Sequence, residues 1–191
     1  METQSTTKTL SASRFPAAMG ISPYTSRKKL WRLMTGREQP ASHNQAMAWG
    51  KHNEWRAVAA VEALTGVIFD CTGDHQKKVY VNGLAATPDG VSGEVGLEVK
   101  CPEKVYDEIP AHYMAQIQGQ ILVCGFALVY FGCWGNTFLR CWEVPRSGEY
   151  VAAMLSLLEE FAGYVDRDEE PPRLPRKPVL PQVTCRLLTG S

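Results

Sequence analysis

The sequence predicts an α/β (α+β) single domain with a central mixed sheet flanked by helices, and three observations carry that prediction. Helical spacing dominates residues 11–65, short segments rich in β-branched residues fill 67–101, and helix, two strands and a last helix follow. No internal repeat interrupts the order. The 191 residues, 45% apolar and 21% charged, suit one domain with a substantial core.

Each element has a local reason. SASRFPAAMG reads as a short helix from a Ser cap, closed near Gly20, and RKKLWRLMTG as a second, capped by Thr25 or Ser26 and closed by Gly36. NQAMAWGKHNEWRAVAAVEALTG predicts a long helix over 45–65 ending at Gly66. VIFDC, KKVYV, GLAAT and VGLEVKC predict three or four antiparallel strands between Gly, Asn and Asp turns. AHYMAQIQGQILVCG returns to helical spacing. FALVYFGCW and FLRCWEVP predict two strands about a Gly-Asn turn, and SGEYVAAMLSLLEEFAGYVDR a final amphipathic helix. Five of the twelve prolines lie between Pro171 and Pro181, so this stretch is expected to be neither helix nor central strand. Residues 1–168 therefore read as the folded domain and 169–191 as a flexible Pro-rich tail, with a polyproline ligand for a partner as the alternative.

Twenty Lys+Arg balance twenty Asp+Glu, which excludes any argument from net charge. The distribution is uneven: nine basic against three acidic residues over 1–60, then four against nine over 61–130. Such asymmetry suits a polyanion meeting a cation-binding site, or equally a set of solvated helix faces. The six cysteines form no CxxC pair and the four histidines no finger spacing, which argues against zinc or iron–sulfur. METQSTTKTL lacks an apolar signal region and no apolar run reaches membrane length, so the expected setting is a reducing cytoplasm with free thiols and no membrane.

A few residues look chemical. Glu54 falls on the apolar stripe 47, 50, 54, 58, 61, 65; it either meets a buried partner or snorkels to solvent at the stripe edge. Gly50, one turn earlier, is explicable by close approach of a backbone or ligand. Asp89 sits in the tight turn ATPDGVSG, where an aspartate is commonly only a turn residue. Glu98 and Lys100, two apart on a strand, share a face opposite Leu97 and Val99. Two carboxylates and an amine converging there suit a divalent cation with a charge-stabilising lysine. Tyr113, Gln116 and Gln120 lie on one side of a helix and read either as a groove lining or as a solvated face.

Taken together, WGKHNE, ATPDG, LEVKCP and PAHYMAQIQGQ, in this order and at these spacings, resemble the lambda-type (YqaJ-like) viral recombinase exonucleases, a branch of the PD-(D/E)XK nucleases. The resemblance runs from about Ser11 to the last helix, and it implies a restriction-endonuclease-like core. By match, Asp89, Glu98, the backbone carbonyl of Val99 and Glu54 would bind Mg²⁺, with Mn²⁺ as a substitute and a pair of ions per site. Lys100 is the matched catalytic lysine, Gln116 the glutamine beside the catalytic centre, and Tyr113 and Gln118 supporting members of that helix motif.

Ser11-Ala12-Ser13 resembles the family's N-terminal Thr/Ser-Ala-Ser, which implies a pocket for a DNA 5′-phosphate with Ser13 at a helix start. The family's upstream arginine is replaced by Thr6, Thr7 and Lys8, leaving its role to Lys8 or Arg14. The resemblance further implies linear double-stranded DNA as substrate, a ring-shaped homotrimer, a single-strand annealing protein as partner, and bacterial or prophage origin. The expected activity is Mg²⁺-dependent 5′→3′ digestion of one strand to mononucleotides, leaving a 3′ overhang. The alternatives are a structure-specific or endonucleolytic relative and an inert DNA-binding relative.

Overall fold

The strand-like stretch over 67–101 divides between two sheets instead of forming one antiparallel run. The structure is a computed structural model describing residues 9–40, 45–135 and 138–189. In the smaller sheet, β1 (Leu10–Ser11) lies parallel to β3 (Leu84–Ala86), which pairs antiparallel with β2 (Val79–Val81). The β2–β3 hairpin turns on Asn82 and Gly83, both at positive φ (48° and 78°), as a tight two-residue turn demands. The larger sheet has the order β4 (Gly90–Ser92), β5 (Val95–Lys100), β6 (Leu128–Gly135), β7 (Phe138–Pro145) and β8 (Arg186–Leu188). Within it β5 and β6 run parallel and the other neighbours antiparallel, so the sheet is mixed, as predicted. VIFDC contributes only a bridge, Asp70 to Val91.

The first predicted helix is shorter than its sequence suggests. Pairing of β1 occupies Ser11, a 3₁₀ turn takes Ala12–Arg14, and α1 spans only Phe15–Ala18, with Pro16 in its first turn. The second, α2 (Arg27–Met34), is capped by Ser26, whose Oγ accepts the Lys29 N–H at 3.2 Å. The long helix α3 (Gln45–Thr65) has the predicted bounds. A crossover helix, α4 (Ala111–Cys124), joins parallel β5 to β6, and α5 (Gly148–Asp166) starts at Ser147. Among the described residues no helix is long and apolar enough to cross a membrane.

Alternation along β5 and β6 sorts the core into layers. Leu97 and Val99 pack with Ala57, Val58 and Val61 of α3, whereas Val129 and Phe131 pack with Ile117 and Ile121 of α4. A third cluster joins Phe15, Met19, Leu30, Met154 and Phe161 from α1, α2, α5 and the segments beside them. Gly132 permits the close seating of α3: a Cβ there would lie 2.6 Å from Val61 Cγ2.

The flexible tail expected from composition is instead packed down. Leu180 and Val183 rest against the core, Leu174 lies over Gly20, and 186–188 form β8 against β7. The argument from proline holds in its narrower form, since β8 is an edge strand. Substituting Gly132→Ala should lower unfolding free energy by about 1–3 kcal/mol through overpacking against Val61, as measured by urea denaturation.

Candidate active site

Strand alternation turns Glu98 and Lys100 away from the α3 layer that holds Leu97 and Val99. Glu98 is only 1% exposed, so its charge needs close partners. It has three: Lys100 Nζ and Gln116 Nε2 (2.7 Å) donate to Oε1, and Gln120 Nε2 donates to Oε2. The i, i+4 spacing of the two glutamines points both at one carboxylate. Lys100 Nζ also lies 5.5 Å from the Tyr113 ring centre, and that ring stacks among His112, Tyr106 and Phe131.

Asp89 stands just before β4, where its N–H donates to Leu97 O at 2.9 Å. Its Oδ2 accepts the Val99 N–H at 2.8 Å, fixing the carboxylate against the strand between Glu98 and Lys100. Glu54, half-buried on α3, meets the same group through a bridge: Gln76 Nε2 donates to Glu54 Oε1 (2.8 Å) and to Asp89 Oδ1 (3.1 Å). Of the two readings of Glu54, the structure gives it a half-buried hydrogen-bond partner, while Met47 on the same stripe is exposed.

The electrostatics follow from crowding. Burial, with the charge of Glu98 behind it, holds Asp89 well above the usual carboxylate range; burial also raises Glu54. Burial works to lower Lys100, but Glu98, Asp89 and Glu54 outweigh it and the ammonium is held more tightly than usual. One ammonium faces three carboxylates, and that excess of negative charge favours a further cation.

Among the described residues no three His, Cys, Asp or Glu side chains are gathered as a ready metal cage. The reason is visible in the bonding: the oxygens of Glu98 are engaged by Lys100, Gln116 and Gln120, and an amide joins Glu54 to Asp89. The donor set nevertheless fits a hard divalent ion, being all carboxylate oxygen, uncompensated in charge and already bridged by a hydrogen-bond donor.

Other expected residues lie elsewhere. Gln118 is fully buried and faces away: its Nε2 donates to Pro145 O (2.8 Å) and its Oε1 accepts the Ser147 N–H (3.0 Å), tying α4 to the β7–α5 junction. Ser13 caps no helix, because it sits inside the 3₁₀ turn and its Oγ meets Ser11 Oγ at 3.0 Å. Ser11, Ser13 and Arg14 share no hydrogen bond or ion pair with the carboxylates, and Lys8 lies outside the described residues. A Cβ built at Gly50 would meet nothing within 4 Å, so close protein approach does not explain that glycine. Gln76 is the participant that sequence reasoning missed, as it sits in an aperiodic polar turn. Gln120 carried a signal in its spacing from Gln116.

A mixed sheet with a parallel pair, a crossover helix on one face, and an Asp, Glu and Lys clustered at strand β5 define the class of fold to which this chain belongs. The YqaJ-like viral recombinase domain matches residues 3–127, and the chain belongs to that family. Solved structures extend the likeness of fold. An alkaline exonuclease (LHK-Exo) from Laribacter hongkongensis is 20% identical at a TM-score of 0.68, over 84% of this chain and 89% of that one. The same protein in complex with dAMP matches equally. A phage-related exonuclease from Haemophilus somnus 129PT is 10% identical at a TM-score of 0.66, over 83% and 94% of the two chains. Comparison with curated proteins returned no match.

Replacing Gln118 by Ala should cost about 1–3 kcal/mol of stability by stripping partners from the backbone of Pro145 and Ser147. Urea denaturation measures that loss, and circular dichroism of the native state should be unchanged.

Proposed function

We propose that this protein is a Mg²⁺-dependent 5′→3′ exonuclease that digests one strand of linear double-stranded DNA to mononucleotides, leaving a 3′ overhang for recombination by annealing. The observation that carries the reading is the clustering of Asp89, Glu98 and Lys100, with Asp89 bonded to the backbone of Val99 between the other two. Support comes from the family and from fold relatives described as exonucleases, one of them holding dAMP, a mononucleotide. A homotrimeric ring and a single-strand annealing partner complete the proposal.

Glu54, Asp89, Glu98 and the Val99 carbonyl are the groups that would hold Mg²⁺. Bound there, such ions supply Lewis-acid polarisation of a phosphate and acidification of water. The protein's own part is positional and electrostatic. Lys100, beside its acidic neighbours, offsets charge developing on the scissile phosphate and deprotonates or positions the attacking water. Gln116 and Gln120 fix the plane of the Glu98 carboxylate. Tyr113 bounds the space beside Lys100 and keeps that side of the site apolar.

The test is one linear duplex with a 5′-phosphate at one end and a 5′-hydroxyl at the other, strand-labelled, in Mg²⁺ and in EDTA, beside a closed circle. Loss of the 5′-phosphorylated strand alone, starting at its 5′ end, in Mg²⁺ and not in EDTA, with the circle intact, is expected; equal loss from both ends removes Ser13 from end selection, a cut circle points to an endonuclease, and no metal-dependent product to a binding protein. In the same assay Asp89→Asn and Lys100→Ala should each reduce the rate by about 10²–10³-fold. Electrophoretic shift of the duplex should persist in both variants.

A further inference from the structure

Gln76 is the one member of the carboxylate cluster that comes from a surface turn. It follows the 3₁₀ turn Gly73–His75, and Cys71 and Gly73 ahead of it both adopt positive φ (58° and 57°). Residues 73–75, 77 and 78 are exposed, while Gln76 itself turns inward and is half-buried. Its amide can face the cluster in only one sense. Two carboxylate oxygens lie at 2.8 and 3.1 Å from Nε2, and a flipped amide would set Oε1 against both of them.

Those two bonds join the carboxylates of separate elements, α3 and the turn before β4. An –NH₂ group carries two donors and a partial positive charge, so it satisfies both oxygens in the way a cation would. It brings no formal charge, however, and leaves the excess acidity of the cluster in place. A divalent ion that draws both Glu54 and Asp89 into its shell competes for the oxygens that the amide now engages.

We infer that the Gln76 side chain is a displaceable placeholder for the metal, its amide holding Glu54 and Asp89 together and leaving when a divalent cation binds them. This rests on the metal-dependent reading above and adds to it that the 71–78 turn sets the metal threshold. The turn is suited to the exchange, since its exposed neighbours let it move outward without opening the core.

The experiment titrates the full chain with Mn²⁺ alone, without DNA, by calorimetry, and records melting temperature in EDTA and in saturating Mn²⁺. Gln76→Ala removes the competitor: it should bind Mn²⁺ about tenfold more tightly, melt lower in EDTA, and widen the gap between the two melting temperatures. Gln76→Lys places a tethered ammonium in the same position; it should weaken Mn²⁺ binding by about tenfold or more and melt higher in EDTA. Weaker or unchanged Mn²⁺ binding by Gln76→Ala overturns the inference, and should that variant fail to fold, unweakened binding by Gln76→Lys does the same. A wild-type chain that binds no Mn²⁺ overturns the metal-dependent reading itself, which separates the two failures.

Discussion

A carboxylate held inside a sheet organises this molecule. Glu98 lies in β5 opposite Phe131 of β6 and one residue past the last pair with β4, where Asp89 takes the next backbone N–H, so its backbone cannot retreat toward solvent. Its charge must be met where it stands. Lys100 supplies one donor from the same strand face and α4 supplies two more, and this requirement sets the rotation of the helix. Gln116 and Gln120 face Glu98. Gln118, about 200° round the helix from Gln116, faces the end of β7 and the start of α5 instead. Three glutamines in five residues thus split between a chemical site and a structural joint, and the joint keeps the helix from turning away from the site.

The cluster also depends on reaching the sheet from both faces. Leu97 and Val99 carry α3 on the face opposite Glu98, and Gly132 lets that helix sit close enough for Val61 to fill the space above it. Glu54, two turns before Val61, arrives from that helix, while Asp89 arrives from the turn before β4. The acidic residues therefore come from three separate segments. None could be supplied by a local motif alone, and burial, with the charge of Glu98 behind it, raises the carboxyl of Asp89.

Much of this was legible in the residues. The bounds of α3, the Ser26 cap of α2 and the common face of Glu98 and Lys100 follow from period and capping chemistry that tertiary packing does not override. What was hidden lacks a period. The three-residue strands around 79–92 are too short to show alternation, so their division between two sheets depends on partners that local sequence does not reveal. Ser13 resembles a helix cap, but pairing of β1 with β3 uses the chain just before it and Pro16 starts the helix later. Gln76 carries no local signal because its partners lie 13 and 22 residues away. The Pro-rich tail shows its prolines but not the anchoring of Leu180 and Val183.

That tail has a consequence for how the chain is made. Strand β7 is complete once Pro145 is synthesised, yet its outer neighbour, β8, comes only after the whole of α5 and the proline-rich stretch. Until then the nascent sheet carries an open row of amides and carbonyls, the form of surface on which strands of neighbouring chains add. Covering of Cys141–Glu143 by three residues beginning with Arg186, paired to Glu143 at 2.5 Å, is a late event in biogenesis. The segment thereby shortens the open stretch of β7 and leaves a strand of only three residues as the margin of the sheet, a poor template for a neighbouring chain.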